Sequence, residues 1–145
     1  VKIYVCGGSS EMDLVAGYMT KLRALGHEIT HDWVSVIRSV GDANPREAAR
    51  RQRRAWSGDD IHGIESASLV WVLLPLKTSF GCAFEAGFAI GRGGHVIMSG
   101  DWRASIFSGQ SLACFNEHDH ALEWIRLYTT PGIWDNEMAK LKAES

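Results

Sequence analysis

The sequence predicts an α/β domain of three layers, with a mostly parallel five-stranded sheet covered by helices on both faces. Three observations predict it. Short apolar, β-rich runs recur at 2–6, 69–74 and 95–98. Segments with helical periodicity lie between them. Glycine-containing turns follow the first and third runs of the framework, at Gly7-Gly8-Ser9-Ser10 and Ser79-Phe80-Gly81.

The elements follow in order. Residues 2–6 form a buried first strand that ends in a polar glycine loop. Leu14, Tyr18, Met19, Leu22 and Leu25 share one helical face, and Gly26 stops that helix. Residues 28–34 look like a second strand, and Gly41-Asp42-Ala43-Asn44-Pro45 like a loop, with Pro45 suited to the first turn of the next helix. That helix runs over 45–56, and a second helical segment covers 59–66. The strand at 69–74 and a helix around Glu85 come next. A fourth strand at 95–98, a fifth at 112–115 and a helix over 117–128 complete the framework. In the tail, 134–145, the spacing of Trp134, Met138 and Leu141 predicts a docked helix. No repeat, low-complexity segment or second domain interrupts residues 1–145.

Composition excludes several classes. The chain of 145 residues is 46% hydrophobic and 22% charged with a formal net charge of -2, an ordinary globular balance that gives no general attraction to polymeric nucleic acid or membranes. No apolar stretch approaches the roughly 20 residues of a membrane span. The opening Val1-Lys2-Ile3-Tyr4-Val5 is too short and strand-like for a signal peptide. Cys6, Cys82 and Cys114 are an odd, widely spaced set, which predicts reduced thiols and a cytoplasmic location.

Right-handed crossovers place the loops after strands one and three at the carboxyl edge of the sheet, so the two glycine turns are expected to face one crevice. Glu85 sits in the first turns of the helix beyond the second of these turns, among Phe84, Ala86, Gly87 and Phe88. A carboxylate there, favoured by the helix N-terminus, is suited to act as nucleophile or base. In Asp59-Asp60-Ile61 an acid either caps a helix or, as Asp60, projects into the crevice beside Glu85. Two such acids can divide the work, one attacking carbon and one handling a proton. Gly7, Gly8, Ser9, Ser79 and Gly81 offer backbone N–H groups and hydroxyls suited to a phosphate, although neither turn matches a P-loop or G-x-G-x-x-G.

Other motifs carry less. His27-Glu28-Ile29-Thr30-His31 matches H-E-x-x-H by letter, but that chemistry needs a helix. On a strand the two imidazoles stand about 13 Å apart, at ~3.3 Å per residue, too far to share a metal. His118 and His120 lack zinc-type companions. The arginines at 46, 50, 51, 53 and 54 form a solvated helix face, with Arg46 or Arg50 a secondary candidate for an anionic ligand. Cys6 has no histidine placed to activate it and reads as a structural thiol. Trp71 belongs to the core, whereas Trp33 and Trp102, in or near loops, pack at the rim or stack on a base.

These residues bring a family into view. The chain resembles the nucleoside 2-deoxyribosyltransferase superfamily, which includes the 2′-deoxynucleoside 5′-monophosphate N-glycosidases. The likeness is carried by Lys2-Ile3-Tyr4-Val5-Cys6-Gly7-Gly8, by Asp60-Ile61-His62-Gly63-Ile64, and by Gly81-Cys82-Ala83-Phe84-Glu85-Ala86-Gly87-Phe88-Ala89, similar to the family's G-x-x-x-E-x-G-x-A helix. The resemblance implies that Glu85 attacks C1′ of the sugar. It implies that Asp60 transfers a proton to the leaving base or positions the sugar, and that Tyr4 orients the nucleophile. Ser79, where the monophosphate hydrolases tend to carry serine, implies a 5′-phosphate ligand. A neighbouring subunit is implied to complete the site through Ser105 or Ser108. The chain departs from the pattern at Ala67-Ser68, where an acid is usual, and in its first loop, which lacks an arginine.

The expectation is therefore a flavodoxin-like, Rossmann-type domain, a homodimer or higher oligomer. It cleaves or transfers the base of a (deoxy)nucleoside or its 5′-monophosphate, with no metal or redox cofactor. The rivals are a non-catalytic nucleotide-binding or sensing domain on the same fold, and an N-glycosidase that cleaves NAD. A receiver-type signalling domain fits poorly, because Cys6, Gly7 and Gly8 stand where its acids follow the first strand.

Overall fold

A computed structural model describes residues 1–40, 49–130 and 132–144. Its strands are β1 (Lys2–Cys6), β2 (Glu28–Ile29), β3 (Leu69–Leu73), β4 (Val96–Ser99) and β5 (Ala113–Phe115). Its helices are α1 (Met12–Ala24), α2 (Trp33–Ser39), α3 (Arg50–Ser66), α4 (Phe80–Gly91), α5 (His118–Tyr128) and α6 (Ile133–Glu144). All strand pairs are parallel, in the order β2-β1-β3-β4-β5. That is the doubly wound order of flavodoxin-like folds, whose crevice opens between β1 and β3, where the chain reverses its direction across the sheet.

The central strands are apolar because both their faces are covered. Every residue of β3 is buried, as a parallel strand between two helical layers requires. One layer holds α1 and α5: Tyr18 of α1 packs edge-on against Trp71 of β3 and against His118 of α5, with ring centroids 5.1 and 5.7 Å apart. The other holds α3 and α4, which Tyr4 and Cys6, two residues apart on β1, face together.

A buried polar chain pins the first layer. Trp71 Nε1 donates to Ser99 Oγ at 2.8 Å, and Ser99 Oγ lies 2.7 Å from His118 Nδ1. Burial lowers the His118 pKa, so a neutral ring accepts from the serine hydroxyl. Ser99→Ala is expected to leave the indole N–H unpaired and to cost about 1–3 kcal/mol, measured by urea unfolding. A change within about 0.5 kcal/mol, the range of an ordinary surface substitution, would contradict this account of the network.

Two elements differ from the sequence expectation. The second strand does not extend over 28–34: it ends at Ile29, and Trp33 begins a helix. Asp32 explains the change, since its carboxylate accepts the Ser35 N–H at 3.0 Å and caps α2, while Trp33 Nε1 donates to the Val5 carbonyl at 2.9 Å. The segments expected at 45–56 and 59–66 are one helix over the described residues, passing through Gly58, an exposed position where an added Cβ would meet nothing within 4 Å. Asp59 and Asp60 therefore lie inside α3 and cap nothing. The proposed start at Pro45, and Arg46, lie outside the described residues. The remaining boundaries agree within one residue at each end. Trp134 of α6 is half-buried on this chain's own core, edge-on to His95 with centroids 5.8 Å apart; the side chains of Met138 and Leu141 lie outside the described set. Among the described residues no helix is long and apolar enough to cross a membrane.

Candidate active site

At the carboxyl edge of β1 and β3 lies a cavity of about 250 Å³. Gly7 and Ser9 reach it from the first loop, and Ser79 and Gly81 from the start of α4, so the two glycine turns do converge. The turns are tied together as well, since Glu11 accepts the Leu76 N–H at 3.2 Å. Gly7 has to be small: a Cβ there would stand 2.5 Å from Val15 Cγ2 of α1.

Each acidic side chain is delivered by a different element. Ser79 caps α4 by accepting the Cys82 N–H at 3.3 Å, which sets the helix so that Cys82 and Glu85, one turn apart, both line the cavity. Asp60 arrives from α3, which passes unusually close to β1 at Gly63. A Cβ on Gly63 would stand 2.6 Å from His31 Cβ and 3.0 Å from the Tyr4 ring. One turn before that contact, Asp60 Oδ1 accepts the Tyr4 hydroxyl at 3.0 Å. The same carboxylate oxygen faces His31 Nε2 at 3.5 Å.

The electrostatics follow from burial. Burial pushes the Glu85 carboxyl up to about 7; the Cys6 thiol opposes the rise, the Asp60 charge adds to it and the Tyr4 hydroxyl opposes it. Its Oε2 is buried without a hydrogen-bond partner among the described residues. Burial also raises Asp60, while the Tyr4 hydrogen bond and His31 pull it back. Tyr4 is held well above its ordinary range by burial and by the two neighbouring carboxylates. Beneath Glu85, Cys6 Sγ lies 3.2 Å from Cys82 Sγ, both as free thiols, and burial pushes the Cys6 thiol up.

The arrangement brings together Tyr4, Asp60 and Glu85, with Gly7, Ser9, Ser79 and Gly81 around the same cavity. Gly8 is not one of the lining residues; it packs beside Pro75. Ser105 and Ser108 are not brought to the cavity either. Ser105 Oγ accepts the Phe107 N–H, and Ser108 Oγ donates to the Ser105 carbonyl, within a short 3₁₀ turn. Arg50 is exposed at the first turn of α3 and is absent from the lining. Trp102 turns its indole N–H to Asn116, away from the site.

In the rest of the wall, sequence reasoning reached only Trp33, as a residue of the rim or of base stacking, and missed Val36, Ile37 and Trp56. Trp33, Val36 and Ile37 of α2 and Trp56 of α3 make it largely apolar and aromatic. Trp56 was legible in principle, since it sits four residues before Asp60 on the same helix face. His31 was visible only as half of a metal motif. Its two histidines flank the two-residue strand β2 and share no helix face. Its position just past the carboxyl end of a parallel strand was the better signal.

No protein-family model matches this chain, and no curated protein matches it.

Proposed function

We propose that this chain breaks the N-glycosidic bond of a (deoxy)nucleoside or its 5′-monophosphate, passing the sugar to water or to another base, with Glu85 attacking C1′. The observation that carries the reading is the Glu85 carboxylate. It is buried in a cavity wall with Oε2 unpartnered, and Asp60 and Tyr4 are hydrogen-bonded beside it. Departure of the base builds positive charge at C1′, and an unsolvated carboxylate stabilises that charge and captures the carbon. The Tyr4 hydroxyl, engaged by Asp60 and next to Glu85, fixes the relative placement of the two acids. The aromatic wall of Trp33 and Trp56 suits a flat base. Ser9, Ser79 and the first N–H groups of α4 suit a 5′-phosphate. The resemblance of the β1, α3 and α4 segments to the deoxyribosyltransferase superfamily supports the same assignment.

The site is proposed to work in a dimer. Leu76, Phe80 and Ile106 are 95%, 89% and 90% exposed, and Phe84 is largely so. These apolar side chains, on α4, in the loop before it and in the loop after β4, suit a second copy of the chain, which could bring Ser105 or Ser108 to the neighbouring cavity. The paired free thiols of Cys6 and Cys82 suit a reducing compartment such as the cytoplasm.

The test is base release, followed by chromatography, from ribo- and deoxyribonucleoside 5′-monophosphates, free nucleosides and NAD. Release from a nucleoside or its monophosphate is expected. Because Glu85 must be ionised to attack, kcat/KM should rise as pH rises through about 7. Release from NAD alone would favour the NAD-cleaving rival. No release, with a ligand still raising Tm, would leave a binding domain.

A further inference from the structure

His31 is a histidine in the cavity wall that no part of the proposed chemistry yet uses. Its side chain is only 17% exposed, and Nε2 faces the Asp60 oxygen that already accepts the Tyr4 hydroxyl. Against the burial that raises Asp60, the Tyr4 hydroxyl that it accepts and the imidazole that it faces both favour its carboxylate form. It is thereby poorly placed to give a proton away. Glu85 cannot supply one either, since it must be ionised to attack. A departing base still needs a proton, and the imidazole is the neighbouring group able to carry one.

Resting on the N-glycosidic reading, the geometry points to His31 as the proton donor to the leaving base, with Asp60 as the positioning residue that holds the imidazole. The role differs from the one the resemblance implies, in which Asp60 itself transfers the proton. The group that faces the imidazole is Asp60 from α3, which also accepts the hydroxyl of Tyr4 from β1, and Glu85 of α4 lines the same cavity. Asp32, next in the chain, is turned to Arg23 at 2.7 Å.

The step balances. The C1′–N bond breaks with its electron pair going to the base nitrogen, which takes the proton from the His31 imidazolium. Glu85 forms an ester bond to C1′. A water then attacks C1′, its proton returns to the His31 imidazole, and the Glu85 carboxylate is released. Asp60 stays ionised throughout.

The experiment compares wild type, His31→Asn and His31→Gln on two substrates of the same sugar. One is the best substrate of the base-release panel. The other is the corresponding 4-nitrophenyl glycoside, whose phenolate leaves without a proton. Loss of a general acid should slow base release about 10²–10⁴-fold while nitrophenolate release stays within about threefold of wild type. Activity on the activated substrate also shows that each variant is folded. Equal losses on both substrates, or no loss of base release, would overturn the assignment and leave His31 a structural neighbour of Asp60. Failure of the wild type to release a leaving group from any substrate would overturn the N-glycosidic reading itself, and this assignment with it.

Discussion

Glu85→Gln should lower base release by a factor on the order of 10⁴ to 10⁶, the scale of losing a covalent nucleophile, and should make the protein more stable at the same time. The glutamine amide keeps the shape but cannot form the glycosyl ester. The stability effect has a defined pH window. In the folded chain the carboxyl titrates near 7, above its ordinary value of 4.5, so between these values the folded state holds a proton that the unfolded chain has lost. Stability therefore falls as pH rises through the window, by roughly 3 kcal/mol once pH exceeds 7. Gln carries no such penalty. Urea unfolding of both proteins should show the variant more stable at pH 8 and nearly equal to wild type at pH 4.5. Opposite signs in activity and stability are what a strained functional carboxylate predicts; a variant less stable at pH 8 would contradict this account of the burial of Glu85.

Gly63→Ala should damage the site without replacing any proposed catalytic group. Its Cβ would meet His31 Cβ at 2.6 Å and the Tyr4 ring at 3.0 and 3.1 Å, so α3 has to move off β1. Overpacking of this kind costs about 1–3 kcal/mol, against a gain of up to ~1 kcal/mol in helix propensity. Asp60 moves with the helix, away from Tyr4 and His31. A displacement of 1 Å in a positioning group is enough for about a 10²-fold loss of rate. The internal control is Gly58→Ala on the same helix, where nothing lies within 4 Å. That change should be neutral or stabilising by up to ~1 kcal/mol with activity unchanged. Equal activities for the two variants would show that the contact at Gly63 does not position the site.

The same residues show what was legible in the sequence. The strands β1 and β3 were plain because both faces are buried and the apolar runs are continuous. Glu85 stood out because a carboxylate among small and apolar residues follows such a run. The β2–α2 region was misread because Trp33 and Val34 have strand-like character, while the deciding interaction is local: the Asp32 cap on Ser35. The interval between the two segments expected at 45–56 and 59–66 is an ordinary exposed turn of α3. His31 and Trp56 gain their meaning only when the chain folds, His31 through the contact at Gly63 and Trp56 by sharing a helix face with Asp60. Nothing in the periodicity of residues 28–34 indicated that α3 would meet that segment.

The most direct test of the central claim is to catch the sugar on Glu85. A substrate fluorinated at C2′ slows loss of the sugar from the enzyme, because the fluorine withdraws electrons from the reacting carbon. Protein quenched during its turnover and digested for mass spectrometry should carry the fluorosugar on the α4 peptide, at Glu85. Base release with no adduct on the protein, or with the adduct on another residue, would contradict the account.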